Sequence, residues 1–449
     1  MNILKSCGPS ALILVLTLTG CSGTDGTTFE ESSASEQACR APQYERFAVF
    51  SDPHVYDTAL GAEGAAFEAY MAADRKMLLQ SQAILQVAVG SIIDQHPRFV
   101  LVPGDLTKDG EYQNHLKFAR SMKRLEQAGV EVYVVPGNHD VMNPDAVRYV
   151  GDAVKPVRSV TEREFVHIYR ELGYGEALDR DADSLSYLAE PAPGLWLLAI
   201  DSTRHRENTE ETGPVTAGRL SASTVQWVLE KLEQAKRRGK QVIGMMHHGL
   251  LEHYTGQTLL FPEYVIEGYA ALSKRLADAG LGVVFTGHYH ANDVTFARWD
   301  NGSTLFDVET GSLVTAPSPY RFVDYFPREK QMVITTEHVT SIEGMPDFAA
   351  WAAKFLDDGV RGLVTYQLTA SGLADAATAQ AIAPVIASAL EAHYAGDEPV
   401  ADPLTQQIAA LLQASGSPVG QAWAYSLLSL HNDLAPADND VVLDLSRRD

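Results

Sequence analysis

Val132-Tyr133-Val134-Val135-Pro136-Gly137-Asn138-His139-Asp140 is the stretch on which the reading of this chain turns. A short branched and aromatic run, the composition of a buried strand, stops at Pro-Gly and gives way to an amide, an imidazole and a carboxylate. The same grammar recurs. Phe47–Phe50 precedes Asp52-Pro53-His54, and Phe99–Val102 precedes Gly104-Asp105. Val242–Met246 precedes His247-His248, and Val283–Phe285 precedes Gly287-His288-Tyr289-His290.

Between these runs, and a further one at Leu195–Ile200, lie longer amphipathic stretches, Phe67–Gln95, Glu111–Ala128, Ser221–Arg238 and Glu267–Ala279, which read as helices. Gly129, Gly239 and Gly280 follow three of them, where a left-handed closing residue is favoured. Repeated strand-helix units from about Tyr44 to Ser341 predict an α/β domain. Each polar cluster then falls at the carboxyl end of a strand, the edge where open α/β sheets place their ligands. The pattern alone allows one open sheet as readily as two packed sheets. Leu305–Val314 and Met332–Val339 are expected as late strands of the second sheet. After about Glu343 the texture turns Ala- and Leu-rich, predicting a small helical extension near Phe348–Leu356, Leu373–His393, Leu404–Leu412 and Ala422–Leu430, with Asp402-Pro403 opening the third helix. Nothing in it carries recognisable chemistry, and a dimerisation role or a lid are both open.

With 449 residues and 45% apolar content the chain can bury a large core. Its start is separate. Lys5, the apolar Ala11–Leu18 and Leu18-Thr19-Gly20-Cys21 read as a secretory signal, the apolar run being far short of the ~20 residues that span a bilayer. The closing tetrapeptide resembles a bacterial lipobox, which implies cleavage after residue 20, lipidation of Cys21 and a Ser/Gly/Thr/Glu-rich tether over 21–41. Ordinary cleavage nearby is the alternative. The expected segments are thus 1–20 signal, 21–41 tether, 42–342 catalytic domain and 343–449 extension. Three cysteines, at 7, 21 and 39, leave Cys39 without a partner in the mature chain, so no disulfide framework is expected. A formal charge of −23 disfavours broad contact with nucleic-acid phosphates, and no nucleic-acid partner is expected. Oligomeric state is not legible.

The five clusters pool two carboxylates, one amide and several imidazoles, the oxygen-and-nitrogen donor set that a pair of metal ions takes. A lone Asp-x-His is usually a satisfied surface or core residue. Five clusters in this order are not accidental. Asp52 and His54, two apart at an extended strand end, are expected to project to one side.

Motif for motif the set resembles the calcineurin-like metallophosphoesterases. The resemblance implies a four-layer α/β fold, a β-sandwich flanked by helices, and a hydrolase of phosphate esters with two divalent or trivalent ions, with Fe, Mn, Zn, Co and Ni all suited. It implies Asp52, His54 and His290 on the first ion, Asp105 bridging, and Asn138, His247 and His288 on the second, with a metal-bridging hydroxide as nucleophile. His139 is expected as acid or transition-state donor with Asp140 orienting its ring, and His248 and Tyr289 as supporting or substrate-contacting residues. Purple acid phosphatases place Tyr three residues after the bridging Asp; Lys108 stands there instead. Gly104-Asp105-Leu106-Thr107-Lys108-Asp109-Gly110 is similar to cyclic-nucleotide and glycerophosphodiester phosphodiesterases, although Gly249-Leu250 replaces the Pro-Pro that often follows their paired histidines. The expected substrate is therefore a small phosphodiester met in the bacterial cell envelope, outside the cytoplasm, with the membrane touched only through the lipid anchor. Phosphomonoesters, and lipid headgroups or pyrophosphate-linked lipids, are the alternatives; so is a lipoprotein that binds phosphorylated ligands without turnover, which the intact donor set disfavours. Tyr254, Phe261, Arg204 and Lys108, in or near long loops, are candidates for substrate contact.

Overall fold

A computed structural model describes residues 44–396, 398–432 and 434–446. The expected signal peptide, Cys21 and the tether lie outside the described residues. In chain order the strands are β1 (Glu45–Val49), β2 (Phe99–Val102), β3 (Glu131–Val134), β4 (Val147–Val150), β5 (Ala153–Pro156), β6 (Asp179–Arg180), β7 (Tyr187–Ala192), β8 (Leu195–Ile200), β9 (Gln241–Met246), β10 (Val283–Thr286), β11 (Val294–Arg298), β12 (Thr304–Glu309), β13 (Pro319–Phe326), β14 (Gln331–His338) and β15 (Val441–Asp444). The α-helices are α1 (Ala65–Ala73), α2 (Ser81–Gln95), α3 (Tyr112–Gln127), α4 (Glu162–Ile168), α5 (Ala222–Arg238), α6 (Tyr269–Ala279), α7 (Phe348–Ala370), α8 (Ala376–Ala395), α9 (Pro403–Ala414) and α10 (Pro418–Ser429).

Six strands form one sheet in the order β15-β14-β13-β1-β2-β3 and seven form another in the order β11-β12-β10-β9-β8-β7-β6. β1, β2 and β3 run parallel, as do β8, β9, β10 and β12, while the flanking strands are antiparallel. The sheets face one another. Phe47 of β1 meets Phe285 of β10 edge-on at 5.4 Å, and the Tyr187 hydroxyl of β7 donates to the Val134 carbonyl of β3 at 3.0 Å. Strand alternation assigns the two sides of the second sheet. Leu197, Ala199, Ile243, Met245 and Phe285 point into the shared core, whereas Trp196, Leu198, Ile200, Met246 and Val284 pack outward with Val228 and Leu232 of α5 and Leu276 of α6. Helix, sheet, sheet and helix make four layers, so the sandwich and not the single sheet is the fold.

Three readings need correction. Phe67–Gln95 is not one helix: α1 and the stretch from Leu78 are bent by 102°. Asp74 is the cause, because its extended backbone stops α1 and its carboxylate accepts from the Lys76 amide at 2.9 Å, offering the chain a turn in place of a helix. The two late strands do not share a sheet; β12 belongs to the second, and β14 to the first beside β13. β13 itself was not anticipated, being masked by Pro317 and Pro319; a proline is tolerated as the first strand residue. Gly129, Gly239 and Gly280 do take left-handed backbone, and the Asp402 carboxylate caps α9 through the Thr405 amide at 2.7 Å.

The chain after 343 is helical but not set apart. β15 returns to pair with β14, extending the first sheet, and 44 onward clusters as one compact unit. Among the described residues no single helix is long and apolar enough to cross a membrane.

Candidate metal centre

The polar clusters follow β1, β2, β3, β9 and β10, whose parallel packing brings all five ends to one edge. The backbone there is unusual. Asp52, His54, Asp105, His288 and His290 have positive φ, making up five of the nine described non-glycine residues that do. That conformation is unfavourable for residues with a β-carbon and concentrates where function over-determines the chain. It also corrects the expected geometry, since Asp52 and His54 share a side through left-handed turns beyond the strand and not through strand alternation. Glycine is required where loops touch: a β-carbon on Gly137 would fall 2.1 Å from Asp105 Oδ1, and one on Gly287 2.4 Å from Asp52 Oδ2.

Two donor groups result. Asp52, His54, Asp105 and His290 bring one atom each within 4.8 Å of one another, and so do Asp105, His247 and His288. Asp105 belongs to both. Its Oδ2 lies 3.5 Å from His54 Nε2 and its Oδ1 3.5 Å from His247 Nε2. Asn138 Oδ1 stands 3.1 Å from the same His247 nitrogen, joining the second group. The rings are aimed by what holds their other nitrogens: His247 Nδ1–H donates to the Pro103 carbonyl at 2.7 Å, and His290 Nδ1 pairs with Thr315 Oγ1 at 2.9 Å.

These residues fit a pair of cations. Asp52 Oδ1 is buried without a hydrogen-bond partner, 3.5 Å from His290 Nε2, while Oδ2 accepts from Ser51 Oγ and the His288 amide. His54 and His290 turn Nε2 atoms on each other at 3.2 Å, and burial holds His54 well below its ordinary pKa, hence neutral. A cation placed between the two rings would take both nitrogens as donors. Burial would lower His247, yet the neighbouring Asp105 charge pushes it up to about 9. The His247 half draws positive charge, and the structure brings together the seven residues that the sequence suggested as donors.

His139 sits at the rim, with Nε2 3.9 Å from Asp105 Oδ2. Its ring is not oriented by Asp140. Asp109 Oδ1 lies 2.7 Å from His139 Nδ1, and Asp109 in turn pairs with the buried Lys108 ammonium. Burial works against the Asp109 charge, but Lys108 and His139 hold its carboxyl down at about 2. Asp140 instead accepts from the amides of Leu106, Thr107 and Gly137 and from Thr107 Oγ1, all at 2.8–3.0 Å, tying the Asp105 loop to the Asn138 loop. Adjacency in sequence favoured Asp140; the signal for Asp109 was the same Gly104–Gly110 loop that carries Asp105.

The wall of the pocket differs more from expectation. Lys108 is wholly buried, over the Tyr70 ring at 4.2 Å, and Arg204 pairs outside with Glu207 and Glu267. Tyr254 and Phe261 pack behind Tyr289, which does line the pocket. His248 is buried with both nitrogens engaged, by Ser202 Oγ at 2.7 Å and the Thr216 carbonyl at 2.8 Å, so it backs the His247 and His288 rings and cannot reach substrate. Arg75 and Lys76, from the break after α1, join Tyr264 and Tyr394 around a cavity of about 110 Å³ that opens onto Asp105, Asn138, His139, His288 and His290. None of these four was singled out from sequence.

The sequence model of the calcineurin-like phosphoesterases matches residues 45–292. Similar solved structures include a dimetal phosphatase from Danio rerio (14% identity, 66% of this chain and 96% of that one, TM-score 0.47), purple acid phosphatase PPD1 from yellow lupin (12%, 66% and 52%, 0.42) and phosphopantetheinyl hydrolase from Mycobacterium tuberculosis (14%, 61% and 91%, 0.30). No curated protein matches the chain significantly. By the family match, which spans more than half of its length, the chain belongs to the calcineurin-like phosphoesterases and is a phosphoric ester hydrolase of the dimetal kind.

Proposed function

We propose that this enzyme hydrolyses small phosphomonoesters in the cell envelope, held there by a lipid on Cys21. The observation that carries the substrate class is the cation pair Arg75 and Lys76 beside the metal donors. Two divalent ions would set four positive charges against Asp52, Asp105 and a nucleophilic hydroxide, leaving one; Arg75 and Lys76 add two, and Asp74, 3.5 Å from Lys76, removes one. A dianionic terminal phosphate answers that excess better than a singly charged diester does.

Asp52, His54, Asp105 and His290 would hold one ion, and Asp105, Asn138, His247 and His288 the other. Such ions lower the pKa of bound water and neutralise charge on a transferring phosphoryl group. With only nitrogen and oxygen donors, the set suits Fe, Mn, Zn, Co or Ni. His139 stands where it can donate a proton to the departing oxygen or to a non-bridging one. Asp109 keeps its Nδ1 protonated, leaving Nε2 to face the substrate, and Lys108 keeps Asp109 charged. Asp140 fixes the distance between the loops that bear Asp105 and Asn138.

The similarity of Gly104–Gly110 to diesterase loops favours a second reading, a phosphodiesterase. Rates on p-nitrophenyl phosphate and bis-p-nitrophenyl phosphate with added Mn²⁺, alongside elemental analysis, separate the two. A higher kcat/KM on the monoester is expected; a diester preference would overturn the charge argument.

A further inference from the structure

The C-terminal helices reach the metal pocket at two points. Tyr394, at the last turn of α8, is one of its lining residues. Arg75, another, lies against α7: a β-carbon on Gly359 would stand 3.1 Å from Arg75 Cγ, so a bare helical position seats the arginine stem. The end of α8 is fastened to the segment that follows the candidate ligands His288 and His290. His393 Nδ1 is 2.5 Å from Glu398 Oε1 and 3.6 Å from Asp293 Oδ2, whose other oxygen is 2.6 Å from His253 Nδ1. Asn439 Nδ2 donates to the Ala395 and Gly396 carbonyls at 2.9 and 3.0 Å, and its Oδ1 accepts from Asn292 at 2.9 Å. Gly396 approaches so closely that a β-carbon would fall 2.2 Å from the Asn292 carbonyl oxygen.

At about 110 Å³ the cavity is well below the ~300–1,000 Å³ that encloses a drug-sized ligand. A phosphoryl group can enter it, and a larger organic group extends toward its mouth. Side chains that line it away from the metal donors therefore meet phosphoryl oxygens.

We propose that Arg75 and Tyr394 bind the phosphoryl oxygens turned away from the metal donors, and that the C-terminal helices set both, α7 by seating Arg75 on Gly359 and α8 by carrying Tyr394. The inference rests on the hydrolase reading for its choice of ligand but not for its test. Arg75 shares the cavity wall with Asp74, Tyr264, Tyr289 and Tyr394, and its planar, always charged guanidinium suits an anion held there. A guanidinium bonded to phosphate is a charge-assisted contact, and a phenol to phosphate a weaker one.

The test is calorimetric titration of the full chain, loaded with Mn²⁺, with inorganic phosphate. Arg75→Met should weaken binding by about 10- to 100-fold and Tyr394→Phe by about 2- to 10-fold, with bound metal unchanged. Gly359→Leu should reproduce the Arg75→Met loss; Gly359→Ala, which asks the arginine to shift by a few tenths of an ångström, should show a smaller one while keeping the wild-type Tm. Wild-type affinity in Arg75→Met or Tyr394→Phe overturns the contacts. Wild-type affinity in both Gly359 variants overturns the role of the helices. An Arg75-dependent phosphate site in a protein that turns over neither ester would defeat the phosphomonoester reading and leave this one standing.

Discussion

The loops bearing Asp52, Asp105, Asn138, His247 and His288 and the wall made by Arg75, Tyr264 and Tyr394 face each other across one small cavity, yet only the first was readable as a pattern. Each loop hangs from the end of a buried parallel strand, and the constraints on it are short-range: a left-handed turn at the ligand in the Asp52, Asp105 and His288 loops, a glycine where neighbouring loops touch. Metal donors tolerate little positional freedom, so their geometry is encoded within a few residues of each one. The wall residues come from a helix break, a 3₁₀ turn at Pro262–Tyr264 and a helix end more than a hundred residues further on. Their placement depends on which segments pack together, and that leaves no local mark.

The comparison is put under most stress at Asp105, the residue common to both donor groups. Asp105→Ala should abolish measurable turnover and lower bound metal below two ions per chain. Full metal content with activity retained would mean the two groups do not share a carboxylate, and the loop side of the comparison would fail. His139→Ala comes next. It should keep both ions and lose about 10²- to 10⁴-fold in kcat, the usual worth of a positioned acid. Loss of metal instead would make His139 a ligand.

Asp109 and Asp140 sharpen the contrast because they sit in the same two loops but act differently. Asp109→Asn removes the charge beside His139 Nδ1 and should cut kcat by about 10- to 100-fold with metal retained, the cost expected when a group that orients an essential side chain is lost. Asp140→Asn leaves His139 paired but forfeits part of a four-bond clasp between loops, so metal affinity and Tm should fall before kcat of the loaded enzyme does. Kinetics of the two variants on metal-saturated protein, beside their melting curves, distinguish the roles; identical profiles would merge them.

Strand runs, the order of the motifs and the three helix-closing glycines were legible because periodicity and φ preference act over a few residues. The sandwich was legible only through resemblance, since the residues that join the sheets, such as Phe47 with Phe285, carry no mark of their partner. Asp74 shows why the rest was not. An apolar period continues across it from Phe67 to Gln95, and only tertiary support, including the Met77 amide donating to the Val314 carbonyl at 2.8 Å, lets the Asp turn win and swing Arg75 and Lys76 over the site. His115 was likewise silent: it reads as one polar residue on a helix, but is wholly buried beneath the ligand loops.

His115 also gives the smallest effect, because it touches the loops from behind. Its Nε2–H donates to the Asp140 carbonyl at 2.8 Å and its Nδ1 accepts from the Tyr169 hydroxyl at 2.6 Å. Burial pushes its pKa down to about 3, so the folded chain keeps it neutral where the unfolded chain, at about 6.5, takes a proton. The stability it contributes is whole above pH 6.5 and drains as pH falls from there toward 3. At pH 5 the loss is about 2 kcal/mol, 1.5 units at about 1.36 kcal/mol each. Other histidines in the metal centre also respond to acid, so the informative quantity is a difference. His115→Gln keeps a donor for the Asp140 carbonyl but has no proton to gain, and its urea midpoint should fall less between pH 7.5 and pH 5 than that of the wild type. Equal slopes would show that the helix behind the loops is indifferent to this ring, and that the loops are held by Asp140 alone.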